Sequence, residues 1–154
     1  METVIEDQQL HDRYVATEQR RPLVVVADDE PDIVKLVTVA LRRFGFDIVQ
    51  ARNGTELMGR IAGERQTGYA TERPDVIITD IRMPGLTGLE ILAALRQAHW
   101  STAVVLMTAY ADQETREEAN RLGANALFAK PFDVDDLVLA VVNMMPLPSG
   151  SRGD

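Results

Sequence analysis

Five residues of this chain could do chemistry together if the fold brings them to one place: Asp28, Asp29, Asp80, Thr108 and Lys130. Each follows a short apolar run, and each type has a definite use. Three carboxylates at close range repel one another, which raises their pKa values or draws in a cation. An all-oxygen set with room for water suits Mg²⁺, which takes one or two carboxylates together with a phosphate oxygen. With a cation bound, Asp80 could act as a nucleophile toward phosphorus. Thr108 and Lys130 would then meet the equatorial oxygens of the transferred group, where charge develops. Singly these residues say little. An Asp after a strand is most often a turn or cap residue, and a lone Lys is usually a solvated surface charge. Their order at successive strand ends, with Pro131 directly after Lys130, gives them weight.

The elements that must position them are legible in the hydrophobic pattern. Leu23 to Val26 is a β-branched run without polar alternation, as in a strand buried on both faces. Pro31 opens a helix whose apolar stripe is Ile33, Val34, Val37, Ala40, Leu41 and Phe44, and Gly45 stands where a left-handed cap belongs. Phe46 to Val49 reads as a second strand, and a helix from about Thr55 turns Leu57, Met58 and Ile61 inward. Val76 to Ile78 is the third strand, and Thr87-Gly-Leu-Glu90 has the capping-box spacing for the next helix. Val104 to Leu106, a helix over 112–122 closed by Gly123, Ala126 to Phe128, and a helix capped by Asp133 and running to about Met145 complete the alternation. Five strands alternating with five helices predict an α/β fold, a doubly wound five-stranded parallel sheet. Its ligand site lies outside the carboxyl ends of the strands. The polar stretch Gly63 to Arg73 is long for such a unit and reads as a surface loop or a frayed helix end, away from that site.

Composition sets the outer bounds. The 154 residues carry 24 acids and 16 bases, a formal net charge of −8, and no cysteine. One domain fits that length, and no disulfide, thiolate metal site or thiol nucleophile is available. The acidic balance argues against a nucleic-acid or anionic-membrane surface. The first residues are too polar for a signal peptide and no apolar run is long enough for a span, so a cytoplasmic protein is expected. The expected organisation is an N-terminal extension over 1–21, one domain over 22–145 and a flexible tail over 146–154.

The blocks Val24-Val-Val-Ala-Asp28-Asp29-Glu-Pro31, Pro74-Asp-Val-Ile-Ile-Thr-Asp80-Ile-Arg-Met-Pro84-Gly, Gly88, Met107-Thr108-Ala109 and Lys130-Pro131-Phe132 resemble, in order and spacing, the receiver domain of bacterial two-component response regulators. The resemblance runs from about Arg21 to Met145 and implies the flavodoxin-like (βα)5 receiver fold. It makes Asp80 the phosphoacceptor, fed by a sensor histidine kinase or a histidine phosphotransfer protein. Asp29 and Asp80 would ligate Mg²⁺ (or Mn²⁺) directly and Asp28 through water, with the Arg82 backbone carbonyl completing the protein ligands. Lys130, Thr108 and Ala109 would serve the phosphoryl group, and the Lys130–Pro131 bond would be cis. The family's switch aromatic is here Leu127, with Phe128 facing the other side of the strand, which puts aromatic coupling in doubt. Arg82 and Tyr110 occupy the two rim positions that govern loss of the phosphoryl group, and two large side chains there imply a long-lived state.

No output module is expected beside the receiver, so the signal is expected to leave by a protein contact with a downstream target or by phosphoryl relay. The last helix is apolar nearly all round. If Leu137, Ala140, Val141 and Met144 face the core, then Leu139, Val142 and Met145 point outward, a candidate partner surface or homodimer contact through the face of the fourth helix, fifth strand and fifth helix. His11, His99 and Trp100 read as surface or packing residues. Two other classes stay open on the residues alone: a receiver-shaped adaptor that does not switch, and an Asp-nucleophile phosphatase, whose Asp-x-Asp spacing the adjacent Asp28-Asp29 does not match.

Overall fold

Leu23–Ala27 forms β1 with its inner residues fully buried, and every later element is built outward from it. A computed structural model of the chain describes residues 21–66 and 73–145. After β1 come α1 (Pro31–Arg43), β2 (Asp47–Ala51), α2 (Gly54–Gln66), β3 (Val76–Asp80), α3 (Gly88–Gln97), β4 (Ala103–Thr108), α4 (Gln113–Arg121), β5 (Ala126–Ala129) and α5 (Val134–Met144). The strands form one parallel sheet in the order β2-β1-β3-β4-β5, which is the flavodoxin-like doubly wound order. Strand direction is the same throughout, so each helix runs back against the sheet as a right-handed crossover demands. Among the described residues no helix is long and apolar enough to cross a membrane.

Because the strands are buried on both faces, their alternate residues feed two separate cores. Val25, Ile77, Val104 and Leu106 join Leu57, Ile61, Ile91, Leu92 and Leu95 on the side of α2, α3 and α4. Val24, Val26, Ile78, Val105 and Met107 join Val34, Val37, Leu41, Leu137, Val138 and Val141 on the side of α1 and α5. Helix starts follow local chemistry. Pro31 occupies the first turn of α1. At α3, Thr87 and Glu90 exchange side-chain and backbone hydrogen bonds as a capping box. The carboxylates of Asp112 and Asp133 accept from the backbone of Thr115 and Asp135 at the heads of α4 and α5. Gly45 and Gly123 close α1 and α4 at φ of +89° and +86°, values at which any other residue would be strained.

Some details differ from the hydrophobic pattern. The pattern places Phe44 on the buried stripe of α1, but Phe44 is the C-cap of that helix and is exposed, and the buried polar Thr38 stands on the inner face instead. There the Thr38 hydroxyl accepts a hydrogen bond from Gln50 Nε2 at 3.0 Å, which makes a polar residue acceptable against β2. The second strand begins one residue later than read and runs to Ala51. Helix α2 continues to Gln66, as the helix-end reading of the stretch from Gly63 expects for its first residues, and residues 67–72 lie outside the described ones. The terminal segments 1–20 and 146–154 lie outside them too, as does His11.

The turn after β3 is held close to the sheet by two glycines. Gly88 N–H donates to Ile81 O at 2.9 Å and Gly54 N–H to Pro84 O at 3.4 Å. A Cβ at Gly88 would stand 2.6 Å from the Asp80 carbonyl oxygen, whereas one at Gly59, on α2, would meet nothing within 4 Å. Gly88→Ala should therefore cost roughly 2–4 kcal/mol by forcing backbone beside Asp80 to move. Gly59→Ala should be neutral or stabilise by up to about 1 kcal/mol. Urea unfolding of the two variants checks the pair, and equal effects would contradict the close approach.

Candidate functional site

The chain reverses its progress across the sheet between β1 and β3, and the carboxyl ends of these adjacent strands are where the acids emerge. Asp28 and Asp29 directly follow β1, and Asp80 is the last residue of β3. Asp28 and Asp80 are buried and Asp29 is exposed. One ligand oxygen from each of the three lies within 4.8 Å of the others. Lys130 comes from the loop after β5, which its backbone ties to β4 by donating to Thr108 O at 2.7 Å. Its ammonium reaches Asp28 Oδ2 at 2.7 Å, Asp80 Oδ2 at 3.2 Å and Glu30 Oε1 at 3.4 Å. The Lys130–Pro131 peptide is cis.

One ammonium thus faces more carboxylate charge than it can neutralise, most of it out of water. Burial pushes the Asp28 carboxyl up to about 6 from its ordinary 3.8. The Lys130 contact and the Glu30 amide pull it down, and the charge of Asp80 adds to the rise. Burial would lower the Lys130 ammonium, but its contact with Asp28 and the charges of Asp28 and Asp80 override this and hold it above its ordinary value. Asp28 Oδ2 is buried, beside the ammonium but without an aligned hydrogen bond. A cluster of oxygen donors with surplus negative charge and a buried oxygen lacking a hydrogen bond fits a divalent cation.

The rest of the site is assembled from neighbouring loops. Thr108 ends β4 and is buried, its hydroxyl accepting from Tyr110 N–H at 3.0 Å. Ala109 and Tyr110 follow on the exposed surface. Asp80 Oδ1 accepts from Arg82 N–H at 3.3 Å, and the Arg82 guanidinium lies over the Tyr110 ring, 4.5 Å from its centroid. Arg82 and the hydrogen bonds from Thr115 also bear on Asp112 next to this rim. The Thr115 bonds come first in holding its carboxyl below the ordinary carboxylate value, and the Arg82 charge contributes last. Leu127 lies half buried against the core on the α2–α4 side, and Phe128 packs on the opposite side with its ring centroid 6.0 Å from that of Phe132.

The structure brings Asp28, Asp29, Asp80 and Lys130 together, and Arg82 with Tyr110. It does not join the outward-facing residues of α5 to this site. Of those, Leu139 and Val142 are exposed, but Met145 is half buried against the core, because it stands one and two turns beyond the buried Val141 and Val138 on the same face. Val138, unassigned by the pattern, is buried instead. Sequence reasoning missed Glu30 as a third acid on Lys130; its place directly after the Asp pair was the available signal. It also missed Arg96, whose guanidinium donates to Trp100 O, Thr102 O, Gly123 O and Asn125 Oδ1 at the opposite end of the sheet. Trp100 is buried there with Arg73 over its ring.

A parallel sheet with an acid cluster and a lysine at its carboxyl ends is an α/β domain whose site is suited to a cation and an anionic group. The family model for the response regulator receiver domain matches residues 24–142, and the chain belongs to this family. It is 32% identical over 126 residues to the sporulation initiation phosphotransferase F of Bacillus subtilis, covering 82% of this chain and 95% of that one. It is 36% identical to the regulatory protein AtoC of Escherichia coli over 82% of this chain, but that match spans only 26% of the longer protein. Among solved structures, the receiver domain of the Francisella response regulator 1452 matches with a TM-score of 0.70 at 29% identity, covering 80% and 96% of the two chains. A chemotaxis response regulator of Vibrio cholerae matches with a TM-score of 0.68 at 27% identity, covering 82% and 100%. The two-component response regulator class and its phosphoacceptor signalling follow.

The raised Asp28 value has a sign that can be tested. A folded pKa of about 6 against 3.8 when unfolded means that the native chain holds the extra proton between those values. In metal-free buffer this group favours folding at the acid side, and that contribution is lost as pH rises through about 6. A divalent cation must displace the proton below that point and meets a bare carboxylate above it. The Tm gain on adding Mg²⁺ should therefore be larger at pH 7 than at pH 5, and Asp28→Asn should flatten the difference. An equal gain at both pH values in the wild type would count against the assignment.

Proposed function

We propose that this chain is a phosphorylation-controlled switch in which Asp80 accepts a phosphoryl group from a histidine kinase or histidine phosphotransfer protein and passes the signal on through protein contacts, without a DNA-binding surface of its own. The observation that carries this is the Lys130 ammonium set between Asp28 and Asp80 at adjacent strand ends, with surplus carboxylate around it. Mg²⁺ (or Mn²⁺), when bound, supplies the positive charge that offsets the incoming phosphoryl group. Asp28, Asp29, Asp80 and the Arg82 carbonyl would hold it.

In the transfer, an Asp80 carboxylate oxygen forms a bond to phosphorus while the bond from phosphorus to the donor's imidazole nitrogen breaks, and that nitrogen keeps the electron pair. Lys130, which lies beside Asp80 Oδ2, would meet a phosphoryl oxygen. The Thr108 hydroxyl would turn from the Tyr110 amide to donate to another, with the Ala109 amide beside it. That movement is a local charge event which biases a two-state surface. Since Leu127 carries no ring, the readout would run through the loop from Thr108 to α4. The resemblance to a phosphotransferase matched over nearly its full length supports phosphoryl relay as a second output beside those contacts. The cytoplasm is the compartment where such donors are expected. The chain would act as an acceptor with its own Mg²⁺-dependent phosphorylation and dephosphorylation chemistry, and not as an enzyme on separate substrates.

Two measurements test this. Beryllofluoride with Mg²⁺ should raise Tm in the wild type, and Asp80→Asn should lose the effect. A gain that survives Asp80→Asn, or turnover of unrelated phosphate esters, would favour a different chemistry. The stacked Arg82 and Tyr110 side chains would shield the acyl phosphate from water. Arg82→Ala with Tyr110→Ala should speed loss of the phosphoryl group by about tenfold, or ~1.4 kcal/mol of barrier. An unchanged half-life would refute the shield.

A further inference from the structure

Four of the five helices open on a side chain that accepts a backbone N–H. Asn53 does so for Glu56 at α2, Thr87 for Glu90 at α3, Asp112 for Thr115 at α4 and Asp133 for Asp135 at α5. Helix α1 is the exception. Its N-cap is Glu30, a type outside the usual capping set, and no side-chain cap bond forms there. The Glu30 backbone is fixed all the same. Its N–H donates to Asp28 Oδ1 at 2.9 Å, and its carbonyl accepts from the N–H groups of Ile33 and Val34. The side chain is not used by the helix and reaches across the strand ends, where Oε1 accepts from Lys130 Nζ at 3.4 Å.

A lysine ammonium has three N–H donors. That of Lys130 faces Asp28, Asp80 and Glu30, so the resting site has no donor to spare. The three acids are not equivalent. The side chains of Asp28 and Asp80 are 0% and 8% exposed, whereas that of Glu30 is 61% exposed. Taking the ammonium from a buried carboxylate leaves a charge out of water with less compensation, which is costly. Taking it from an exposed carboxylate costs little, because water replaces the contact. Glu30 also stands apart from the converging oxygens of Asp28, Asp29 and Asp80 that fit a cation. Its carboxylate therefore bears on the ammonium and not on the metal position.

We infer that Glu30 is a positioning residue: it holds one donor of Lys130 in the resting site and yields it to an oxygen of the group arriving at Asp80. Its carboxylate thus competes with that group for the ammonium. This role rests on the phosphoacceptor reading of Asp80. Calorimetric titration of the full chain with beryllofluoride at saturating Mg²⁺ tests it. Glu30→Ala should lower the dissociation constant by about threefold or more, the scale of one exposed ion pair. Glu30→Asp should lower it too, because the shorter carboxylate turns to cap α1, as Asp112 and Asp133 cap their helices, and releases Lys130. The Tm of Glu30→Asp without beryllofluoride should at least match wild type, which separates the effect from a loss of structure. A charge acting only at a distance would leave Glu30→Asp binding like wild type, and that result overturns the competition. So does a dissociation constant that neither change lowers. A loss of about tenfold in affinity for Mg²⁺ alone would overturn it as well, by making Glu30 a support of the cation. A wild type that binds no beryllofluoride refutes instead the phosphoacceptor reading, and the role of Glu30 falls with it.

Discussion

The site depends on one ammonium placed against more carboxylates than it can balance. Lys130 lies within ion-pair distance of Asp28, Asp80 and Glu30, while Asp29 completes an acid cluster beside it. Burying like charges is costly, and nothing in local sequence would bring these residues together. Adjacent parallel strands do so, because β1 and β3 are neighbours at the point where the strand order reverses, and their carboxyl ends deliver the acids side by side. Lys130 is delivered from the far edge of the sheet by a loop bonded to β4 through Thr108 O.

The remaining structure reads as the support for that arrangement. Two apolar cores, one on each side of the sheet, hold the strand ends at fixed spacing. The glycine at the head of α3 lets the helix approach the backbone of Asp80 more closely than a Cβ would allow. At the other end of the sheet, Arg96 ties the end of α3 to the approaches of β4 and β5 through four acceptors. The end that carries the acids is left with charge imbalance and exposed loops, and the opposite end is satisfied and tied down. A surplus charge at one end of a rigid sheet is suited to respond to a cation and a phosphoryl group without disturbing the cores.

Much of this was legible in the sequence, for physical reasons that can be named. Strands buried on both faces leave runs such as Val24 to Val26, and caps such as Thr87 with Glu90 mark helix starts through the side chains that satisfy them. The acids and Lys130 were legible because each directly ends a strand. What the pattern could not give were features made by tertiary contact. Thr38 is buried because Gln50 reaches it across to β2, and Phe44 is exposed because α1 ends there. Glu30 joins Lys130 across a separation of 100 residues, and the stacking of Arg82 on Tyr110 joins two loops that no period connects. The exposed residues of α5 could be found by phase alone, but their relation to α1 required the sheet order.

The central claim is that the surplus charge beside Lys130 exists so that Asp80 can carry a phosphoryl group. Incubating the full chain with acetyl phosphate and Mg²⁺, reducing the acyl phosphate with borohydride and mapping the modified residue by mass spectrometry tests it directly. The account predicts that modification falls at Asp80 alone, needs the metal and is strongly diminished in Lys130→Ala. Modification at another carboxylate, or none at Asp80 with the metal present and the protein folded, would contradict it.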